Sequence, residues 1–348
     1  MAEVNKYLFE TANSLAGDKD VPFSVFDGKR VVITGSTGLI GSQLVRVLLC
    51  RNEAESANIE LVLPVRNTEK ARSLFGTSSQ IQYIRWSLDE DLRVDGTADY
   101  FVHAACSTSS KSFQEEPTTT ILQIVCGGAE TLRCAKGLGV KKYLFLSTME
   151  VYGETQGIIH EDKLGNLNPM IVRNSYPEAK KLVECLCASW HKEFGLPTVI
   201  VRLAQTFGQG VDPSDMRVFA DFARGATSGT GITLLSDGTK RNSYLSVDDA
   251  VRAIIFLLAK GEPGEAYNAA NDKTYCSIKE MAELVLRHFG TNSCNLTRKT
   301  DPKREATFRK SSDLRMDTSK LENLGWEPQD SLANMYTSMI KSWNISEG

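Results

Sequence analysis

The chain has 348 residues, 41% of them apolar and 24% charged, with a formal net charge of −3. That length suits one large domain or two intimate ones with an ample core, and the composition is that of an ordinary soluble globular protein. The near-balanced charge excludes a whole-chain basic footprint for nucleic acid; the basic pairs Arg298-Lys299, Lys303-Arg304 and Arg309-Lys310 are short and read as solvated surface.

The opening Met-Ala-Glu-Val-Asn-Lys-Tyr lacks the apolar core of a signal peptide. The longest uninterrupted apolar run, Ala253 to Ala259, is far too short to span a membrane. Eight cysteines show no metal-type spacing and mostly lie in apolar segments, and the four histidines are scattered. The expectation is a cytoplasmic protein with reduced thiols, no metal site and no membrane partner.

Residues 1–28 read as an appendage in which Val4, Tyr7, Leu8 and Leu15 make a short amphipathic helix. A repeat of strand and helix follows. Strands are predicted at Val31–Thr34, Ile59–Val65, Gln82–Arg85, Tyr100–His103, Lys142–Ser147 and Thr198–Leu203. Helices alternate with them at Leu39–Arg51, Thr68–Leu74, within Pro117–Gly137 and at Tyr176–Glu193. Continuous apolar strands alternating with helices predict an α/β fold: a doubly wound parallel sheet covered on both faces. After residue 204 the pattern loosens, with helices at Val247–Ala259, Ser277–Phe289 and Ser331–Trp343. This divides the chain into a doubly wound domain at 29–203 and a smaller lobe at 204–348, interleaved with it and expected to enclose a ligand at the strand ends.

Candidate chemistry gathers at the carboxyl ends of the strands, where open α/β sheets bind ligands. The first strand runs into Thr34-Gly-Ser-Thr-Gly-Leu-Ile-Gly41. There Gly35 permits a tight turn, Gly38 lets a phosphate approach the backbone, and Gly41 lets helix and strand pack closely. The second strand ends in Val65-Arg66-Asn67. An acid at that end binds the 2′-hydroxyl of NAD, whereas Arg66 suits the 2′-phosphate of NADP. The fifth strand delivers Thr148, able to hydrogen-bond a substrate oxygen, and Glu150, able to act on a neighbouring carbon or orient a hydroxyl. Tyr176 and Lys180 stand four apart on a helix, hence on one face, where an ammonium beside a phenol favours the phenolate. A Tyr so tuned takes a proton from an alcohol at neutral pH.

Taken together, Gly35-x-x-Gly38-x-x-Gly41, Val102-His-Ala-Ala105, Ser147-Thr-Met-Glu-Val-Tyr-Gly153 and Tyr176-x-x-x-Lys180 resemble the extended short-chain dehydrogenases. More narrowly they resemble the NAD-dependent epimerase/dehydratase family acting on nucleotide sugars, over roughly residues 29–345. The resemblance implies that Tyr176 is the base, that Lys180 binds the nicotinamide ribose and tunes Tyr176, and that Thr148 completes the triad. It implies a dinucleotide site formed by Gly35, Ser36, Thr37, Gly38, Leu39, Ile40, Gly41, Arg66, Asn67, Ser87, Leu88, Ala104 and Ala105 with Tyr176 and Lys180. It implies substrate contacts from Thr148, Met149, Arg173, Gln205 and Arg241, with the Arg202–Gly208 segment facing a sugar diphosphate. A homodimer through the helices at 117–137 and 176–193 is a further implication.

Within the family, the stretches Asn168–Tyr176 and Ser147–Glu150 look most like UDP-glucuronate decarboxylases. Three positions depart: Arg66 replaces the usual acid, Gln205 stands where Asn is common, and Met149 stands where dehydratases carry Asp and decarboxylases often Ser. A thioether cannot donate the proton that departing water needs, which argues against a 4,6-dehydratase. The expectation is oxidation of a sugar hydroxyl, most readily at C4, completed as an epimerisation. Decarboxylation of a glucuronate ranks second and NADPH-dependent reduction of a keto sugar third. A non-catalytic NADP-sensing module has no need for Thr148, Tyr176 and Lys180 together.

Overall fold

The computed structural model describes residues 3–106, 110–291, 294–299 and 314–344. The basic pairs Lys303-Arg304 and Arg309-Lys310 lie outside the described residues.

The strongest apolar runs form the centre. Strands β1 (Arg30–Thr34), β2 (Glu60–Val65), β3 (Ile81–Arg85), β4 (Tyr100–His103), β5 (Lys142–Thr148), β7 (Thr198–Leu203) and β11 (Ala266–Ala269) make one seven-stranded sheet in the order β11-β7-β5-β4-β1-β2-β3. Every neighbouring pair is parallel, so the central strands β1, β4, β5 and β7 bury both faces and read as near-continuous hydrophobic runs. Helices α5 (Pro117–Leu138) and α6 (Ser175–Phe194) close one face over Phe101, Tyr143, Phe145 and Ile200. Helices α2 (Leu39–Glu55) and α8 (Val247–Lys260) close the other over Val31, Ile33, Leu144 and Val201. The chain winds outward from β1 in both directions, so the crevice between the ends of β1 and β4 is the topological switch point.

The predicted sheet ended at Thr198–Leu203; the observed sheet does not. β11 adds a seventh strand beside β7, with Ala266 opposite Ile200 and Ala269 opposite Leu203. Its sequence, Ala-Tyr-Asn-Ala, is short and carries a buried Asn268, so it has no hydrophobic run to announce it. Helix α8 likewise covers the main sheet, although it lies within the stretch read as the substrate lobe.

Away from that sheet, β8 (Gln205–Phe207), β10 (Arg241–Ser246) and β12 (Asn271–Ser277) form a second, three-stranded sheet. With α7 (Val218–Thr227), α9 (Ile278–Phe289) and α11 (Leu332–Asn344) they enclose a separate aromatic core of Phe207, Phe219, Tyr244 and Tyr336. Short pairs β13 (Leu296–Arg298) with β9 (Ile232–Leu234), and β14 (Arg315–Met316) with β6 (Ile158–Ile159), tie the ends together. Between them run two short helices, α3 (Thr68–Phe75) after β2 and α4 (Ser110–Glu115) after β4, and the single turn α10 (Ser319–Glu322).

The N-terminal helix α1 (Glu3–Ala16) lies against α2 and α11. Tyr7, Leu8 and Leu15 are buried, as an amphipathic helix requires; the side chain of Val4 lies outside the description. Asn5 Nδ2 donates to Leu74 O at 3.0 Å, and Arg252 reaches Asp18 at 3.3 Å just beyond the helix.

Candidate active site

Four strand ends build the site. At the first, Gly35 has φ +70°, and a Cβ there would lie 2.5 Å from the backbone of Ala104, just past the end of β4. A Cβ on Gly41 would fall 2.3 Å from the Gly35 carbonyl oxygen, so only glycine lets α2 start this close to the turn. Gly38, the N-cap of α2, meets only the Gly35 oxygen at 3.2 Å, leaving its outer side open. No side chain caps the helix, so its first amides are available to an anion. The Ser36 hydroxyl is buried and finds no partner within the protein. An open glycine face, uncapped amides and an orphan hydroxyl fit a bound pyrophosphate.

Arg66, exposed, stands at the end of β2, and Asn67 Oδ1 accepts from Lys70 N at 2.9 Å to cap α3. Ser87 N donates to Glu90, while Leu88 packs against α5 so closely that a Cβ on Gly127 would lie 2.4 Å from it. Leu88 is therefore at least partly a packing residue. At the end of β4, Ala105 N donates to Thr34 Oγ1 at 3.4 Å, and Thr34 Oγ1 bonds His103 Nδ1 at 2.8 Å. Burial, with Lys180 near, pushes His103 down to about 3, so it stays neutral.

The structure brings Thr148, Tyr176, Lys180, Glu150 and Arg173 together. Thr148 closes β5 and its hydroxyl accepts from Glu150 N at 3.2 Å, starting the single turn Met149–Tyr152. The same hydroxyl faces the Tyr176 phenol and favours its ionised form. Tyr176 is 7% exposed, its ring stacked on Phe113 of α4 at 4.3 Å and 11°. The Arg173 guanidinium lies 5.3 Å from the Phe113 ring and pairs with Glu150 at 3.0 Å. Glu150 is thus held by an arginine, a partner the sequence did not indicate. Met149 is partly buried against the main core.

Lys180 is anchored at the end of β5. Its Nζ donates to the Leu146 carbonyl at 2.8 Å and also bonds the Cys106 thiol. It lies 6.0 Å from the Tyr176 ring centre. Burial pushes the Tyr176 phenol well above its usual range, assisted by Cys106 and Glu150 and opposed by Thr148 and Arg173. Helical spacing placed the ammonium on the right face. It could not reveal that a carbonyl at the strand end competes for it.

Arg202, the first residue of the Arg202–Gly208 segment, is buried on β7, opposite Ser147. Its Nε and Nη2 grip Glu184 at 3.1 and 2.7 Å, and Nη1 donates to Tyr152 OH at 3.0 Å. Burial alone would lower Arg202; the Glu184 carboxylate more than reverses it. Gln205 begins β8, half-buried. Arg241 begins β10, paired with Glu280 at 3.0 Å and lying over Tyr275.

Sequence reasoning missed Phe113 and Glu184. Phe113 arrives through tertiary packing and left no local signal. Glu184 stands four residues beyond Lys180, so the same spacing that singled out Tyr176 and Lys180 points to it. Among the described residues, no group of three or more His, Cys, Asp or Glu side chains could hold a metal, and no helix is long and apolar enough to cross a membrane. All eight cysteines are free thiols.

The chain is similar to known proteins. UDP-glucuronic acid decarboxylase 3 of Arabidopsis thaliana is 30% identical over 86% of this chain and 84% of its own. A UDP-glucuronic acid 4-epimerase from Bacillus cereus, solved with UDP-glucuronic acid and NAD, superposes with TM-score 0.74 at 23% identity, covering 90% of this chain and 99% of that one. The dTDP-glucose 4,6-dehydratase DesIV of Streptomyces venezuelae gives TM-score 0.75 at 22% identity, covering 90% and 97%. The NAD dependent epimerase/dehydratase family matches residues 31–270, a span that holds the glycine turn, Thr148, Tyr176 and Lys180, and the chain belongs to that family.

Proposed function

We propose that this protein acts on a UDP-linked glucuronic acid, oxidising its C4 hydroxyl and releasing the carboxylate as CO₂. The observation that carries the reading is the contact of Thr148 with Tyr176 beside the Glu150–Arg173 pair. Identity with the plant decarboxylase supports it over the epimerisation that the sequence alone ranked first.

The dinucleotide would lie on Gly35, Ser36, Thr37, Gly38, Leu39, Ile40 and Gly41, with Ala104 and Ala105 behind it and Lys180 at the ribose. Arg66 and Asn67 flank its adenosine end, and Arg66 favours NADP. When bound, the nicotinamide supplies the hydride acceptor and donor, and in its oxidised form a positive charge that favours the Tyr176 phenolate. Tyr176 takes the C4 hydroxyl proton and later returns it, while Thr148 fixes the phenol. Once C4 is a ketone, the sugar carboxylate is β to it. The C5–carboxylate bond breaks, its electron pair passes into the ketone as an enolate, and C5 then takes a proton. CO₂ leaves without being protonated, so Met149 is no obstacle here, whereas loss of water would need a donor at that position. Arg241 would reach the diphosphate by releasing Glu280, and Arg173 and Gln205 would contact the sugar.

Epimerisation at C4 is the second reading, because it needs no group beyond Thr148, Tyr176 and Lys180. The protein loaded with NAD or NADP, offered UDP-glucuronic acid, is expected to give a UDP-pentose and CO₂ by NMR. A C4 epimer retaining the carboxylate selects the second reading. No turnover of this or of other UDP-, CDP-, GDP- and dTDP-sugars sinks both.

The protein is further proposed to be a homodimer. Leu122 on α5, with Leu182 and Phe194 on α6, are exposed apolar residues on two helices packed against each other, a face suited to a second copy.

A further inference from the structure

Three successive turns of one face of α6 meet the last three residues of β5. Tyr176 faces Thr148, Lys180 Nζ donates to the Leu146 carbonyl, and the Ser147 hydroxyl donates to Glu184 Oε1 at 2.5 Å. The third contact stands apart from the others because it is locked from a second strand. Arg202, directly opposite Ser147 on β7, donates to both Glu184 oxygens. Both side chains are buried, at 8% and 6% exposure. The same guanidinium donates to Tyr152 OH and to the Glu161 carbonyl at 2.7 Å, and Tyr152 OH bonds Asn268 Oδ1 on β11. Tyr152 ends the turn that carries Met149 and Glu150. One ion pair therefore touches the helix bearing Tyr176 and Lys180, the strand bearing Thr148 and the turn bearing Glu150.

We infer that Glu184, clamped by Arg202 and Ser147, is a positioning residue that sets how α6 seats on the end of β5, and thereby where the Tyr176 phenol stands relative to Thr148. The inference rests on the proposed reaction for its catalytic consequence and on geometry alone for its structural one. A tyrosine that moves a proton in concert with hydride transfer tolerates little displacement, since misplacement by about 1 Å costs roughly 100-fold in rate. The carboxylate accepts from Ser147 and from two nitrogens of Arg202, which restricts α6 along the strand and about its own axis. A merely cohesive contact, such as an apolar one, would allow sliding.

The variants must separate position from stability. Removing one charge leaves the other buried and unpaired, which destabilises whatever its role. The double variant Glu184→Leu/Arg202→Met removes the clamp while keeping an apolar fill, a replacement that is often neutral for stability. Its unfolding temperature is expected to stay near that of the parent. Backbone amide exchange at residues 146–152 and 175–181 is expected to accelerate about tenfold, with β1 and β4 unchanged. With UDP-glucuronic acid, kcat is expected to fall about 100-fold and KM less than threefold. Should the double variant not fold, Ser147→Ala removes only the hydroxyl link and is expected to show the same local exchange, with Ser147→Thr restoring protection and rate. Exchange and kcat unchanged in a folded variant would overturn the inference. Absence of turnover in the parent protein would sink the substrate reading instead, and the exchange comparison would still decide this one.

Discussion

The junction of β5 with α6 and the core of the second lobe treat buried polar groups in opposite ways. At the junction the groups interlock: Glu184 with Ser147 and Arg202, Tyr152 with Asn268, Lys180 with Leu146. In the lobe, the Tyr336 hydroxyl is fully buried next to Tyr244 and has no hydrogen-bond partner. An unpaired buried hydroxyl costs free energy, whereas a satisfied network fixes one arrangement. The difference locates rigidity: the molecule specifies the geometry around Thr148 and Tyr176 closely and holds its second lobe by ring packing of Phe207 against Phe219, Tyr244 and Tyr336.

The largest expected effect is at the junction. Tyr176→Phe keeps the stack on Phe113 but removes the proton carrier, and turnover is expected to fall by ~10²–10⁴. An unchanged rate would remove the junction from the chemistry. Asp248, at the start of α8, tests an intermediate case. Burial, partly opposed by Gln43, pushes its carboxyl up to about 6. For an acid raised on folding, the folded state binds the proton more tightly, so stability is highest below pH ~4 and falls as pH rises toward 6. The penalty at neutral pH is at most about 3 kcal/mol. Asp248→Asn is therefore expected to raise the unfolding temperature at pH 8 and to leave it unchanged at pH 4. No gain at pH 8 would mean that Arg252 already offsets the charge.

In the lobe, Tyr336→Phe deletes the unpartnered hydroxyl and is expected to stabilise the protein by about 1 kcal/mol, with kcat unaffected; a loss of stability in chemical denaturation would reveal a hidden partner. The smallest effect is expected at the exposed Arg66. Arg66→Ala should shift the NADP-to-NAD affinity ratio toward NAD by about fivefold, as for a solvent-screened charge. An unaltered ratio would divorce Arg66 from cofactor choice.

Much of this was legible in the chain. The glycine turn, Thr148 at a strand end and the helical spacing of Tyr176 and Lys180 are local patterns, and local patterns survive folding. What stayed hidden has one cause, contacts with residues distant in sequence. Lys180 donates to the Leu146 carbonyl. Arg202 is buried against Glu184. Phe113 covers Tyr176 from a helix whose sequence carries no signal of doing so. The strand at 266–269 is called into the sheet by an open edge on β7 and not by its own composition.

That last strand has a consequence for how the protein is made. Until residue 269 leaves the ribosome, β7 presents an unpaired edge of the kind that recruits other chains, and Tyr152 lacks its Asn268 partner. The first six strands are therefore not a closed unit: their sheet is completed by a segment synthesised more than sixty residues after Leu203.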